Sequence, residues 1–134
     1  IMNLHNKRIK IGKWNMVGYR WTQLDRDEKR HIKNLKKLKK KINSKTILVT
    51  HEPPYGIMDS GSYSIINEDP ESNTYGPIGS KHLLALTNKK KPRFHIFGHV
   101  HSQFGISDNC INAAYPYRKS FVSIEIEKMD IKII

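Results

Sequence analysis

The sequence predicts an α/β fold in which helices alternate with the strands of a mixed sheet. Twice, a segment with helical periodicity leads into a short apolar run typical of a buried strand, first at 46–50 and again at 94–97. The hydrophobic residues, 37% of a 134-residue chain, are clustered in such runs. This clustering indicates one folded domain rather than a disordered chain.

Two short strands joined by a turn are predicted at the start of the chain. Ile9 and Ile11 alternate with basic residues over 8–12, and a second candidate strand covers 13–19. Because Gly12 lies between the two segments and favours a turn, we expect the strands to pair with each other.

A long helix is predicted next, with Asp25 or Asp27 as its N-cap and its end near Asn43. Its apolar residues recur at spacings of three, three and four, which places them on one face. They are Ile32, Leu35, Leu38 and Ile42. We expect this whole stripe to face the sheet.

A second helix is predicted to begin at Ser80, a natural N-cap, and to end within 88–92. Leu83, Leu84 and Leu86 would form its packing face. The stretch 51–77, rich in Gly, Pro, Ser, Asn and Asp, is predicted to be a long loop that shapes a site.

After the second apolar run, the sequence predicts short alternating strands in an antiparallel arrangement. They cover 103–106, 109–113, 121–126 and 131–134.

The formal net charge of +12 is compatible with nucleic-acid binding. Much of this charge lies in lysine runs at 36–37, 39–41 and 89–91, which are typical of solvated helix faces and ends, so nucleic acid is not the favoured partner. No apolar stretch approaches the roughly 20 residues that span a bilayer, and no secretory leader is present. The lone Cys110 excludes an intrachain disulfide. We therefore expect a cytoplasmic protein without a membrane partner.

Three histidines are the candidate metal ligands. His51 directly follows the first apolar run, where active sites of α/β folds commonly lie. His99 and His101 follow the second run, and side chains two positions apart point the same way in an extended backbone. Gly98 before them would permit a turn and close backbone approach. Of the remaining four histidines, His5, His31 and His82 are expected to be ordinary surface residues, and His95 is expected to be an interior residue or to support a ligand.

The two histidine segments together resemble the C-terminal half of calcineurin-like metallophosphoesterases, in the branch of compact metallophosphoesterase-domain proteins. Thr50 to Gly56 reads Thr-His-Glu-Pro-Pro-Tyr-Gly, and Phe97 to His101 reads Phe-Gly-His-Val-His. Asp59, the Gly79–Ser80 helix start and Asn112–Ala113 fit the same layout. The resemblance covers roughly residues 9 to 126.

This resemblance implies half of a double β-sandwich flanked by helices, with mixed sheets, and hydrolysis of phosphate esters by two divalent metal ions. The ions would be drawn from Mn, Fe, Zn or Ni. By that similarity, His51 and His99 would bind one ion and His101 the other. Tyr55 and Asp59 would border a small phosphorylated substrate.

The family's first half contributes Asp-x-His, Gly-Asp and Gly-Asn-His motifs, and this sequence contains none of them. We therefore expect residues 1–134 to be a partial domain that needs the missing N-terminal half for full activity. Two other functions stay open at this point. One is a non-catalytic phosphate- or nucleic-acid-binding module on the same fold, and the other is a mononuclear three-histidine zinc site.

Overall fold

The computed structural model describes residues 3–20, 28–62, 75–114, 122–125, 128 and 130–133. These residues form ten strands, two α-helices and one 3₁₀ turn at His101–Gln103. In chain order the elements are β1 (Arg8–Ile11), β2 (Trp14–Tyr19), α1 (Glu28–Lys39), β3 (Thr46–Thr50), β4 (Ser60–Ser62), β5 (Tyr75–Pro77), α2 (Lys81–Lys90), β6 (Phe94–Phe97), β7 (Gly105–Ser107), β8 (Cys110–Asn112), β9 (Val122–Glu125) and β10 (Asp130–Ile133).

Six strands form one mixed sheet in the order β1-β2-β3-β6-β8-β7. The four inner strands are parallel, and each edge strand is antiparallel to its neighbour. The carboxyl ends of the four inner strands therefore lie along one edge of the sheet, which we call the carboxyl edge. Both histidine segments begin there, because Thr50 ends β3 and Phe97 ends β6.

Both helices cover the same face of this sheet. Leu38 of α1 and Leu83 of α2 lie in one core cluster with Val17 of β2 and Leu48 of β3, and none of the four side chains is more than 1% exposed. Full burial of such a side chain stabilises the fold by about 1.5–3 kcal/mol. These contacts fix both helices against the inner strands.

The opposite face of the sheet carries a second core cluster built around Ile47, Phe94 and Ile111. Side chains from β2, β6 and β9 pack against it: Trp14, Met16, Ile96, Val122 and Ile124. The antiparallel pair of β9 and β10 thus contributes to this face through β9. None of the described helices combines the length and apolar character that a membrane crossing requires.

The predicted α/β class and mixed sheet are confirmed. The hairpin around Gly12 forms as expected, with Ile11 paired to Trp14 and a positive φ of 56° at the glycine. The N-cap of α2 is also confirmed, since the hydroxyl oxygen of Ser80 accepts a hydrogen bond from the Leu83 amide at 3.2 Å.

Three details of α1 differ from the prediction. The helix ends at Lys39, before Asn43, whose side chain and backbone instead bond to the start of β3 at Thr46. Ile32 does not face the sheet but is 37% exposed, whereas His31, predicted to be a surface residue, is buried. The predicted caps Asp25 and Asp27 lie outside the described residues.

Two predictions of irregular or antiparallel structure also need correction. The stretch 51–77 is not wholly a loop, because β4 and β5 pair antiparallel within its described part. The later strands are not all antiparallel either, since β8 joins the main sheet parallel to β6. Burial explains the second difference: Cys110, Ile111 and Asn112 are all buried, as expected of an inner strand.

Candidate metal centre

His51 is the first residue beyond β3, and its backbone is tied to the neighbouring strand end. The carbonyl oxygen of His51 accepts a hydrogen bond from the Gly98 amide at 3.1 Å. Because β3 and β6 are parallel neighbours, this bond continues the sheet by one step past both strands. It brings the two histidine segments together at the carboxyl edge.

The segment from Gly98 to Gln103 is a compact turn rather than an extended strand. His99 has a φ of 71°, a left-handed conformation that is uncommon outside glycine, and His101 begins the 3₁₀ turn. The premise that His99 and His101 share one side of an extended backbone was therefore wrong. A Cβ on Gly98 would meet only ordinary contacts at 3.9 Å, so the unusual backbone lies at His99.

This turn directs the His99 ring toward His51. The Nε2 atom of His51 lies 3.1 Å from the Nδ1 atom of His99, and the ring centroids are 5.0 Å apart at an interplanar angle of 62°. Two nitrogens that ligate one tetrahedral zinc ion at roughly 2.0–2.1 Å lie about 3.3 Å from each other. The observed spacing is thus close to that of two ligands on one ion.

The surroundings of His99 favour the form of its ring that binds metal. Partial burial lowers the pKa of His99, and the neighbouring charges of His51 and His101 lower it further. A lowered pKa favours the neutral imidazole, and only the neutral ring can donate a lone pair to a metal.

His101 is the third predicted ligand. Its side chain is exposed, and the described residues contain no group of three or more His, Cys, Asp or Glu side chains arranged to hold a metal ion. A mononuclear site made of His51, His99 and His101 is therefore not assembled in this part of the chain. Ligation of a second ion by His101 stays a prediction.

Asn112 holds the turn in place, a role that the sequence did not reveal. Its amide nitrogen donates to the carbonyl oxygens of Val100 at 2.8 Å and Gln103 at 3.0 Å. Its Oδ1 atom accepts from the Ala114 amide at 3.0 Å. The side chain is fully buried, and its bonds to Val100 and Ala114 form away from water. The sequence marked Asn112 through the family resemblance, which includes Asn112–Ala113, but gave no hydrogen-bond partners for its side chain.

A second buried chain of hydrogen bonds flanks His51. The Thr50 hydroxyl lies 2.6 Å from the Glu52 carbonyl oxygen and 2.8 Å from Nε2 of His95. A carbonyl can only accept, so the hydroxyl donates to Glu52 and accepts from Nε2–H of His95. His95 is fully buried, as expected of an interior residue, and burial lowers its pKa from 6.5 to about 3.

The two predicted substrate residues occupy different environments. Asp59 is buried, and its Oδ2 atom accepts hydrogen bonds from the amides of Gly56 at 2.8 Å and Gly79 at 3.0 Å. Tyr55 is half-buried, with the Lys81 ammonium 5.1 Å from its ring centroid. Asp59 therefore organises the loop backbone, and contact of either residue with substrate stays a prediction.

Comparison with known proteins gives one sequence relative. The chain is 35% identical over 78 residues to the UPF0046 protein K07C11.7 of Caenorhabditis elegans, and the match covers 54% of this chain and 22% of that protein. The chain thus spans about a fifth of the length of this relative. No family model matches the sequence.

Two crystal structures share the fold. One aligns over 98% of this chain and 52% of its own, with a TM-score of 0.67 and 16% identity. The other, TT1561 of Thermus thermophilus, aligns over 98% of this chain and 58% of its own, with a TM-score of 0.53 and 11% identity. At these identities both structures show a shared fold and no more.

Proposed function

We propose that this chain contributes to a metal-dependent phosphoesterase, a phosphodiesterase or phosphatase, by supplying histidine ligands to a centre of two divalent ions. The observation that carries the proposal is the 3.1 Å separation between Nε2 of His51 and Nδ1 of His99. The resemblance assigns these same two residues to one ion and His101 to the other. Mn, Fe, Zn and Ni all accept imidazole ligands.

The chain's own residues would bind and orient the ions rather than react covalently. His51 and His99 are set by the strand ends, and Asn112 fixes the turn that carries His99. When bound, a pair of divalent ions would supply the activation of water and the charge stabilisation that hydrolysis of a phosphate ester requires. Tyr55 and Asp59 would line the path of a small phosphorylated substrate.

The described residues do not bring a carboxylate into a cluster with these histidines. Under the proposal, a bridging carboxylate comes from residues outside the present sequence, so the 134-residue chain binds metal weakly and turns over slowly. A cytoplasmic location, and the absence of nucleic acid and membrane as partners, belong to the same proposal.

The test is hydrolysis of bis(p-nitrophenyl) phosphate by the chain with added manganese, beside its His51→Ala and His99→Ala variants. We expect slow hydrolysis that requires manganese and disappears in both variants, while His82→Ala on the surface of α2 behaves as wild type. Hydrolysis that persists without metal, or in both ligand variants, contradicts the proposal. Rates typical of a complete enzyme contradict the expected need for a further carboxylate.

The alternative is a non-catalytic phosphate- or nucleic-acid-binding module. His101→Ala, made in a longer chain that carries the missing motifs, distinguishes the enzyme from this module. Loss of metal-dependent hydrolysis supports the enzyme. Retention of inorganic phosphate or oligonucleotide binding, with no hydrolysis in either protein, supports the binding module.

A further inference from the structure

A groove of about 320 Å³ runs between α1 and α2. This volume lies within the range of small-ligand pockets in proteins, roughly 300–1,000 Å³. None of its lining residues belongs to the candidate metal centre, so the groove is a separate feature of the helical face.

The α1 wall of the groove follows one line along the helix surface. Ile32, Leu35, Lys36 and Lys39 line it, at positions i, i+3, i+4 and i+7. These positions lie on one side of a helix. The incorrectly predicted Ile32 is therefore an exposed apolar residue of the groove rather than part of the core.

The α2 wall repeats the same spacing with His82, Ala85, Leu86 and Lys89. Seven residues of α-helix rise about 10.5 Å, so each wall is two turns long. Each wall thus ends with a lysine.

The two helices run in the same direction. Each leads into a strand, and those strands, β3 and β6, are parallel neighbours. The rings of His31 and His82, both near the helix starts, are 5.2 Å apart. Consequently Lys39 and Lys89 lie at the same end of the groove, with Lys36 one turn before Lys39. The groove is apolar along its floor and cationic at one end.

We infer that this groove binds a single-chain anionic amphiphile, such as a fatty acid. Its hydrocarbon chain would lie along Leu35, Ala85 and Leu86, and its carboxylate would lie between Lys39 and Lys89. Among the described residues, none that lines the groove is acidic and would oppose an anion. A charge confined to one end matches a single head group better than an acidic protein helix, whose carboxylates are spread along its length. A second copy of this chain would bring no acidic residue from its own described groove lining to pair with these lysines.

The test is calorimetric titration of the chain with dodecanoate below its micellar concentration. We expect saturable binding that weakens about ten-fold when Lys39→Gln and Lys89→Gln are combined, since two exposed charge pairs are lost. The matched control combines Lys37→Gln and Lys40→Gln, which removes the same charge from exposed positions outside the groove and leaves binding unchanged. Ala85→Glu, which puts a carboxylate on the floor, abolishes binding in a variant that stays helical by circular dichroism.

Several outcomes overturn the inference. These are the absence of saturable dodecanoate binding, equal weakening by both lysine pairs, and equal affinity for dodecyltrimethylammonium, which has the same chain and the opposite charge. Binding of an acidic amphipathic peptide in place of dodecanoate would assign the groove to a protein partner. A dimer that dissociates with Ala85→Glu would assign it to a second copy.

Discussion

The Nε2 atom of His51 and the Nδ1 atom of His99 lie 3.1 Å apart, although the two residues are separated by 48 positions in the sequence. The parallel pairing of β3 with β6 brings their backbones together, and the Gly98 amide bonds to the His51 carbonyl oxygen. The geometry of the pair is thus set by the sheet. A ligand pair held by main-chain bonds keeps its spacing without metal. This lowers the conformational entropy that the protein loses when it binds metal.

Replacing either histidine of this pair is expected to lower metal affinity strongly. His51→Ala or His99→Ala removes one of two adjacent imidazoles, and one remaining nitrogen cannot chelate an ion. We expect zinc or manganese affinity to fall about 100-fold or more, because mutating even a residue that only orients a ligand costs up to about 100-fold. Equilibrium dialysis with atomic absorption measures it.

His82→Ala provides the control for these variants, since it removes an exposed imidazole on α2. Its metal affinity should equal that of the wild type. Equal losses in all three variants would show that surface histidines bind metal adventitiously and that the pair has no special role.

Asn112→Asp is expected to lower metal affinity indirectly, although Asn112 is not a predicted metal ligand. Aspartate can still accept from the Ala114 amide, but it cannot donate to the carbonyl oxygens of Val100 and Gln103. The turn that carries His99 should loosen, and metal affinity should fall about 10- to 100-fold, as for other residues that orient ligands. Unchanged affinity in a folded variant would remove Asn112 from this role. The two measurements are equilibrium dialysis and near-UV circular dichroism.

The sequence predicted the parts of this site that depend on residues adjacent along the chain. His51 and His99 could be found because each follows a short apolar run, and the ends of parallel strands meet at one edge of a sheet. The cap at Ser80 and the turn at Gly12 could be found because single residues largely determine them.

The supporting residues could not be found in this way, because their partners are distant in sequence. The contact of Thr50 with His95 spans 45 positions, and nothing local marks it. The conformation of His99 depends on a turn held by Asn112, so an extended backbone was the wrong assumption. Ile32 fits the apolar period of α1. The period alone does not show which apolar positions pack against the sheet and which line the groove.

Removing the Asp59 carboxylate is expected to destabilise the fold. Asp59→Ala leaves the amide of Gly79 without its acceptor in a buried setting, whereas the exposed Gly56 can bond to water instead. One buried unsatisfied amide costs about 1–3 kcal/mol, so the free energy of unfolding should fall by about that amount. Urea denaturation measures this change.

Asp59→Asn is the matched variant, since its amide oxygen can still accept both bonds, and it should lose much less stability than the alanine variant. A pair of variants with wild-type stability but a raised KM for a phosphate ester would instead identify Asp59 as a substrate contact.

His95 should make the stability of the protein depend on pH. Burial lowers its pKa in the folded state to about 3, whereas the unfolded chain titrates near the ordinary value of 6.5. Between these two values the unfolded state binds a proton that the folded state does not, so the free energy of unfolding falls as the pH falls. The contribution is fully present above about pH 6.5 and is lost progressively on acidification toward about pH 3.

Between pH 7 and pH 5, this single residue should account for a loss of about 2 kcal/mol, because each unit between the two pKa values corresponds to about 1.36 kcal/mol. His95→Gln does not titrate and can still donate a hydrogen bond to the Thr50 hydroxyl, so it should lack this part of the pH dependence. Urea denaturation of both proteins at the two pH values isolates the effect, since every other titrating group is common to both. Parallel pH dependences in the wild type and the variant would mean that His95 takes up its proton in the folded state as readily as in the unfolded chain.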